Sequence, residues 1–182
     1  MQILDWQPYT SMQQAGLLPA VWMDWLRDPG SFMERLKRHG VLDPLVRVLS
    51  EASLTVSPGE SALLGVRADE AVLVREVLIQ SSYASWMYAR TLIPATTLAH
   101  KTELTTLDTR SLGSVLFQDP TLRRSAFEIA RIYPETHWHA HIESVANPND
   151  DAFWARRSVF HVQEQPLLLT EVFLPDIETL AR

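Results

Sequence analysis

The sequence predicts an α+β fold, in which helices flank a mostly antiparallel sheet of about six strands. The first observation is a hairpin pattern, with alternating apolar residues at 71–82, a short turn, and a second strand-like run at 86–93. The second is a similar pair of runs at 154–162 and 166–174, joined by residues 163–165. The third is a set of capped helical segments outside these pairs. Consecutive strands joined by short turns pair antiparallel, so both pairs indicate an antiparallel sheet.

The chain begins with two short helical segments. Residues 21–26 form the first, and the turn-forming sequence Asp28-Pro29-Gly30 ends it. Ser31, with Glu34 three residues later, matches the pattern of a capping box and predicts a helix at 32–38. Together the two segments predict a helix–turn–helix pair.

Further elements follow in order along the chain. Short extended segments are predicted at 41–49 and 52–56, helices at 96–107, 111–117 and 121–132, a strand at 137–145 and a loop at 147–151. Asp119-Pro120 provides the start signal for the helix at 121–132, with Asp as the N-cap and Pro in the first helical position. The alternation of His137, His139 and His141 predicts the strand at 137–145.

Length, charge and cysteine content limit the possible functions of the chain. The 182 residues, 46% of them hydrophobic, suffice for a single domain over 1–182 with its own core. The absence of cysteine excludes a disulfide framework, a thiolate nucleophile and a cysteine zinc site. A net charge of −6 without a basic run disfavours nucleic-acid and anionic-membrane partners. No run approaches the roughly 20 apolar residues of a membrane helix, and no signal peptide is recognisable, so we expect a soluble cytoplasmic protein.

Three charged residues interrupt strands that are otherwise apolar on both faces. They are Arg75, Arg90 and Glu171. Burying such a charge without a partner costs several kcal/mol, on the order of magnitude given by desolvation, so each needs a partner, a ligand or water. One interpretation is an internal Arg–Glu ion pair between strands. The other is a pocket in which Arg75 binds the carboxylate of an aromatic acid and Glu171 accepts a hydrogen bond from a hydroxyl at its far end.

The three histidines of the 137–145 segment would share one face of the predicted strand, which is a possible metal-ligand spacing. No nearby Asp or Cys completes the set, and a polar solvent-facing strand is the commoner explanation of such a pattern. We therefore assign no metal. The sequence also contains no nucleophile-elbow, P-loop or dinucleotide-binding motif.

Several separated segments resemble chorismate pyruvate-lyase, the enzyme that makes 4-hydroxybenzoate for ubiquinone. They are WLRDPGSFMERLKRHG (25–40), VLVREVLIQ with WMYARTLIP (72–94), SLGSVLF (111–117), and WARRSVF with PLLLTEVFLP (154–175). They occur in family order and span nearly the whole chain. The combination is more specific than any one segment.

The resemblance implies a monomeric enzyme without a cofactor, whose ligand lies in a closed cavity beneath helix–turn–helix flaps. It implies that Arg75 binds the ring carboxylate and that Glu171 faces the 4-hydroxyl. Phe32 and Leu112 would also contact substrate and product, and we expect their main-chain groups to matter because their side chains are apolar. Arg90 is our candidate for supporting the enolpyruvyl carboxylate or the charge balance of the pocket. Whether Glu171 acts as a base or only orients the hydroxyl stays open, because proton transfer within the substrate is also conceivable.

Two other functions remain possible. The same fold occurs in ligand-sensing domains of bacterial transcription regulators, so the chain could bind a small aromatic acid without catalysis. It could also be a structural or interaction protein in which the buried charges are merely paired. Turnover of chorismate would distinguish the enzyme from the sensor, and stabilisation by 4-hydroxybenzoate would exclude the structural role.

Overall fold

The computed structural model describes residues 4–148 and 150–180, and one antiparallel sheet runs through this part of the chain. The predicted loop at 147–151 includes residue 149, which lies outside the described residues. The strands are β1 Gln7–Pro8, β2 Leu45–Leu54, β3 Val72–Gln80, β4 Ser85–Ile93, β5 Arg123–Arg124, β6 Glu128–Ile132, β7 Phe153–Val162 and β8 Gln165–Phe173. The α-helices are α1 Tyr9–Gln14, α2 Ala20–Arg27, α3 Phe32–Arg38, α4 Pro58–Leu64, α5 Ala95–His100, α6 Leu112–Leu116 and α7 His137–Ala146. Two 3₁₀ helices lie at Thr102–Thr106 and Pro175–Leu180.

The strand order in the sheet is β1-β6-β7-β8-β4-β3-β2, and β5 pairs with β7 outside this path. The two predicted hairpins, β3–β4 and β7–β8, are confirmed, and they lie side by side because β4 pairs with β8. In the β7–β8 turn, Gln163 and Glu164 both have positive φ, at 50° and 64°. Two such residues in succession are typical of the tight turns that match the twist of antiparallel strands. The predicted α+β fold with a mostly antiparallel sheet is therefore confirmed.

The prediction of a helix at 121–132 was wrong, since this region contains β5 and β6. The Asp119 carboxylate does accept a hydrogen bond from a backbone N–H, that of Thr121 at 2.9 Å, and a second from the Thr121 hydroxyl. These bonds close a turn, and the chain then pairs with β7 instead of continuing as a helix. Pairing in the sheet buries Ile129 and Ile132 completely, which a solvent-facing helix would not do.

The prediction of a strand at 137–145 was also wrong, because the segment is helix α7. The Thr136 hydroxyl caps its N-terminus by accepting from the His139 N–H, and Asn147 ends it with φ of 46°. The buried residues are His139 and Ile142, three positions apart, which is helical spacing.

Two smaller boundaries also differ from the predictions. The predicted segments 41–49 and 52–56 form the single strand β2, whose register shifts between Val48 and Ser50. The predicted helix at 96–107 is divided into α5 and the 3₁₀ helix Thr102–Thr106. The helices at 21–26, 32–38 and 111–117 correspond to α2, α3 and α6 within one or two residues.

The two faces of the sheet carry different layers. Helices α2, α3 and α6 pack on the face that carries Arg75, Ala89 and Glu171, which we call the cavity face. Helices α4 and α7 pack on the opposite face, against residues such as Leu78, Tyr88 and Leu92. Among the described residues, no helix has both the length and the apolar character required to cross a membrane.

Candidate active site

A cavity lies between the cavity face of the sheet and the N-terminal ends of α3 and α6. It contains about 620 Å³ of space not filled by protein atoms, including the part open to solvent. Most of its walls are apolar, and Arg75, Arg124 and Glu171 are its charged side chains. The remaining lining residues are Gly30, Ser31, Phe32, Met33, Val46, Val77, Ile79, Met87, Ala89, Thr91, Ser111, Leu112, Gly113, Leu116, Phe117, Phe160 and Leu169. A few polar groups in an otherwise apolar cavity are typical of small-molecule sites.

Arg75 is fixed at one end of the cavity by neighbours on two sides. It lies on β3 and is only 2% exposed. Its Nε donates to Glu51 Oε1 on β2 at 2.7 Å, and its Nη2 donates to the carbonyl oxygens of Asp108 and Arg110 in the loop before α6. Arg75 is thus part of an ion pair, but the partner is Glu51 and not Glu171.

Glu171 lies on β8 and is 4% exposed. Arg156, on the neighbouring strand β7, binds it with two hydrogen bonds, from Nε to Oε2 at 2.6 Å and from Nη2 to Oε1 at 3.0 Å. Arg124 Nη2 adds a third, also to Oε2, at 3.0 Å. Burial by itself would raise the pKa of the Glu171 carboxyl, but the charges and hydrogen bonds of Arg156 and Arg124 outweigh it and hold the pKa below the ordinary value. Glu171 is therefore an ionised carboxylate at neutral pH.

Arg156 connects Glu171 to the helical layer. Its Nη1 donates to the carbonyl oxygens of Trp25 at 2.9 Å and of Asp28 at 2.7 Å, where α2 ends and the turn to α3 begins. Arg156 is 1% exposed and is not among the lining residues, so it positions Glu171 from behind. Sequence analysis missed this role, although Arg156 interrupts an apolar strand in the same way as Arg75 does.

Arg124 lies on β5, which the sequence analysis predicted as part of a helix. Because of that error, no pattern pointed to Arg124. Its guanidinium lies 4.2 Å from the ring centre of Phe127 and 4.4 Å from that of Phe160. Burial, partly offset by the Glu171 charge, lowers the pKa of Arg124 to about 10, so the side chain stays charged at neutral pH.

The strand register separates Arg75 from Glu171. Arg75 is opposite Thr91 on β4, and Glu171 is opposite Ala89 on the same strand. With neighbouring strands about 4.8 Å apart, the Cα atoms of Arg75 and Glu171 are roughly 10 Å apart across the sheet. They are also offset by two residues along the strands. Apolar side chains of Val77, Ala89 and Leu169 line the cavity between them. The two charges thus face a common space and do not pair with each other.

The cavity is covered by the first turns of α3 and α6. Phe32 and Leu112 each occupy the first helical position, after the capping hydroxyls of Ser31 and Ser111. Both residues line the cavity, together with Arg75 and Glu171. The two helix ends lie close together, since a Cβ added to Gly113 would lie 3.3 Å from Ser31 Oγ.

Arg90 lies on the opposite face of the sheet and is not among the lining residues. Its guanidinium pairs with Glu60 and lies 3.8 Å from Glu76, and it approaches the ring of Trp138 on α7. Of the five residues that the sequence analysis singled out, the structure brings four together and separates Arg90 from them. Arg124 occupies the cavity wall instead.

The histidines of α7 also lie apart from the cavity. Since the segment is a helix, the three do not share one face: His139 stacks on Phe153, and His141 lies 3.4 Å from Glu76. Within residues 4–148 and 150–180, no three His, Cys, Asp or Glu side chains are grouped so as to hold a metal ion.

Solved structures share this fold at low sequence identity. The effector domain of PhnF from Mycobacterium smegmatis superposes with a TM-score of 0.61 at 19% identity, covering 81% of this chain and 90% of that domain. The ligand-binding domain of a GntR-family regulator from Bordetella bronchiseptica gives 0.57 at 14% identity, covering 74% of this chain and 86% of that domain. At such identities the likeness shows the fold alone.

Sequence comparison identifies much closer relatives. A protein described as a probable chorismate pyruvate-lyase from Psychromonas ingrahamii is 36% identical over 155 residues, which cover 84% of this chain and 82% of the relative. One with the same description from Coxiella burnetii is 30% identical over 173 residues, covering 94% of this chain and 92% of the relative. The sequence model of the family described as chorismate lyase matches residues 1–182. This chain therefore belongs to the chorismate lyase family.

Proposed function

We propose that the protein is a chorismate pyruvate-lyase, which converts chorismate to 4-hydroxybenzoate and pyruvate within a single domain over residues 1–182. The observation that carries the proposal is the cavity itself. It is apolar along its length, with a guanidinium at one end and an ionised carboxylate at the other. Family membership supports the same reaction, since the relatives described above are named as probable enzymes of this kind.

Arg75 binds the ring carboxylate of the substrate in this proposal. The Glu51 and carbonyl contacts of Nε and Nη2 fix the plane of its guanidinium before a ligand arrives. A preoriented guanidinium loses little side-chain entropy on binding a carboxylate. The apolar lining excludes water from the ring, which strengthens the charge–charge attraction.

Glu171 accepts a hydrogen bond from the 4-hydroxyl group. Because two arginines keep it ionised, it presents an acceptor at neutral pH without a competing proton of its own. The contacts of Phe32 and Leu112 at the other wall hold the ring against the sheet. Together these groups select one orientation of the substrate.

The reaction balances without an oxidant, a reductant or added water. The C3–O bond of chorismate breaks and its electron pair stays on the ether oxygen. The electrons of the C4–H bond complete the aromatic ring, and the released proton ends on the enolpyruvate, which becomes pyruvate. Aromatisation drives the reaction, so the protein has to orient the substrate and stabilise the charge that develops on the leaving oxygen.

The direct test is to incubate the purified protein with chorismate and to measure 4-hydroxybenzoate and pyruvate. We expect both products in equal amounts. The matched control is the Arg75→Gln protein, which we expect to turn over chorismate much more slowly at a subsaturating concentration. A folded wild-type sample that releases neither product would refute the proposal.

The alternative is a domain that binds a small aromatic acid without catalysis. The same cavity would serve that function, and fold alone does not decide between them. The two functions differ in one measurement, because a sensor binds 4-hydroxybenzoate but leaves chorismate intact.

The finer features of the proposal follow from the resemblance. We propose that the enzyme acts as a cytoplasmic monomer and that its 4-hydroxybenzoate supplies the ubiquinone ring. Light scattering at micromolar concentration tests the monomer, and loss of ubiquinone on deletion of the gene, restored by added 4-hydroxybenzoate, tests the metabolic role.

A further inference from the structure

The cavity contains a second guanidinium, whose role in keeping Glu171 ionised uses only one of its N–H donors. Arg124 lines the cavity beside Glu171, whereas Arg75 lies at the other end. Its side chain is 12% exposed, so most of it is removed from bulk water. A charge in such a position is costly to bury and indicates a specific partner.

The protein contacts of Arg124 fix its position but use only part of its donor capacity. Nε donates to Ser158 Oγ at 2.8 Å, Nη1 to the carbonyl oxygen of Pro29 at 3.1 Å, and Nη2 to Glu171 Oε2 at 3.0 Å. A guanidinium carries five N–H donors, so these three bonds leave one on each terminal nitrogen for another acceptor. The rings of Phe127 and Phe160 hold its plane in place.

The balance of charges also indicates that Arg124 can bind a further acceptor. Glu171 is one negative charge bound by two arginines, Arg124 and Arg156. Arg156 makes two bonds to Glu171 and donates to the carbonyl oxygens of Trp25 and Asp28, so four of its five N–H donors are occupied, and it does not line the cavity. This end of the cavity therefore has a surplus positive charge, and it is presented by Arg124.

We propose that Arg124 binds the enolpyruvyl carboxylate of chorismate, an inference that rests on the proposed function. Chorismate carries two carboxylates, one on the ring and one on the enolpyruvyl group at C3. C3 is the neighbour of C4, whose hydroxyl faces Glu171 in the proposed orientation. The enolpyruvyl group thus lies at the Glu171 end of the cavity, where the two remaining N–H groups of Arg124 reach its carboxylate. Arg124 then also stabilises the negative charge that develops as the C3–O bond breaks.

The test uses two stable aromatic ligands that differ only in the second carboxylate. They are 3-(carboxymethoxy)-4-hydroxybenzoate and 3-ethoxy-4-hydroxybenzoate, with dissociation constants measured by calorimetry. In Arg124→Gln we expect the affinity for the dicarboxylate to fall at least tenfold more than that for the ethoxy compound. Any effect transmitted through Glu171 weakens both ligands and cancels in this ratio. Arg124→Met, whose apolar side chain still packs between the two rings, is measured in parallel in case the Gln variant folds poorly.

The matched control is Arg123→Gln, because Arg123 is the exposed neighbour on the same strand and does not line the cavity. We expect it to leave both affinities unchanged. Equal losses for the two ligands in the Arg124 variants would overturn the inference but not the lyase activity, which turnover of chorismate tests separately. A wild-type protein that bound neither ligand would overturn the inference together with the proposed orientation of the substrate.

Discussion

Replacing Glu171 by Gln tests whether its carboxylate supports both stability and ligand binding. The variant keeps the shape of the side chain but removes its charge. Arg156 and Arg124 would then remain buried without a directly bound carboxylate, and one of their N–H groups would face the amide NH₂. We expect the folded state to be strongly destabilised.

The structure sets the size of this effect. Glu171 accepts three hydrogen bonds from charged donors at 2.6 to 3.0 Å while only 4% exposed. Removing one partner of a buried ion pair costs about 3–5 kcal/mol. For a domain of this size each kcal/mol lowers the melting temperature by about 2–4 °C, so the expected decrease is roughly 6–20 °C.

The assay is urea unfolding at pH 7, followed by tryptophan fluorescence, with Glu128→Gln as the matched control. Glu128 also pairs with an arginine, Arg157, at 2.8 Å, but its side chain is 35% exposed. An ion pair of this kind contributes about 0–1 kcal/mol. An equal loss of unfolding free energy in Glu171→Gln and Glu128→Gln would show that the Glu171 carboxylate is not the counter-charge of the buried arginines.

The dependence on pH gives a second check of the same residue. The pKa of Glu171 is lowered on folding from an ordinary value of 4.5. A lowered pKa contributes stability that is present above 4.5 and is lost as the pH falls through the folded-state value. The difference in unfolding free energy between wild type and Glu171→Gln should therefore be largest at neutral pH and shrink below pH 4.5. A difference that grew on acidification would contradict the direction of this pKa shift.

Three further substitutions test other parts of the structure. Arg75→Gln should raise the dissociation constant for 4-hydroxybenzoate at least about thirtyfold, since loss of one partner of a buried charge pair costs about 2–5 kcal/mol. An unchanged dissociation constant, measured by calorimetry, would reject the binding role of Arg75. Arg90→Gln should change this dissociation constant by less than about threefold, because its contacts to Glu60 and Glu76 lie on the opposite face of the sheet. Loss of these contacts should lower the unfolding free energy by about 1–3 kcal/mol. An increase in the dissociation constant as large as that of Arg75→Gln would contradict a site confined to the cavity face. Ser57→Ala should lower the unfolding free energy by about 1 kcal/mol through loss of the capping box of α4. The control, Ser53→Ala at an exposed position of β2, should have little effect. Equal urea midpoints for the two variants would contradict a stabilising role of this cap.

The central part of the fold could be predicted because its strands carry their own signals. The β3–β4 and β7–β8 hairpins combine long alternating runs with short turns, and local sequence determines both features. The same alternation places Arg75 and Glu171 on strands, as the structure does. Their location on one face, however, depends on β4 pairing with β8, which no local pattern specifies.

The errors arose where tertiary contacts outweighed a local signal. Asp119-Pro120 looks like a helix start, but the following residues complete the sheet against β7. The alternating histidines look like a strand, but Thr136 caps a helix whose buried residues repeat at helical spacing. Arg90 was misplaced for a similar reason, since a charge in an apolar strand shows that it has a partner but not on which side of the sheet that partner lies.

The arrangement of charges favours an orienting role for Glu171 over that of a general base. A base is most effective when its pKa lies near the working pH, and two arginines hold the pKa of Glu171 well below that range. The same arginines give an acidic protein, with a net charge of −6, a locally positive cavity. In the proposed reaction chorismate carries two carboxylates into the cavity, whereas 4-hydroxybenzoate keeps only one after pyruvate has left. With Arg124 on the second carboxylate as proposed, the cavity matches the charge pattern of the substrate better than that of its aromatic product.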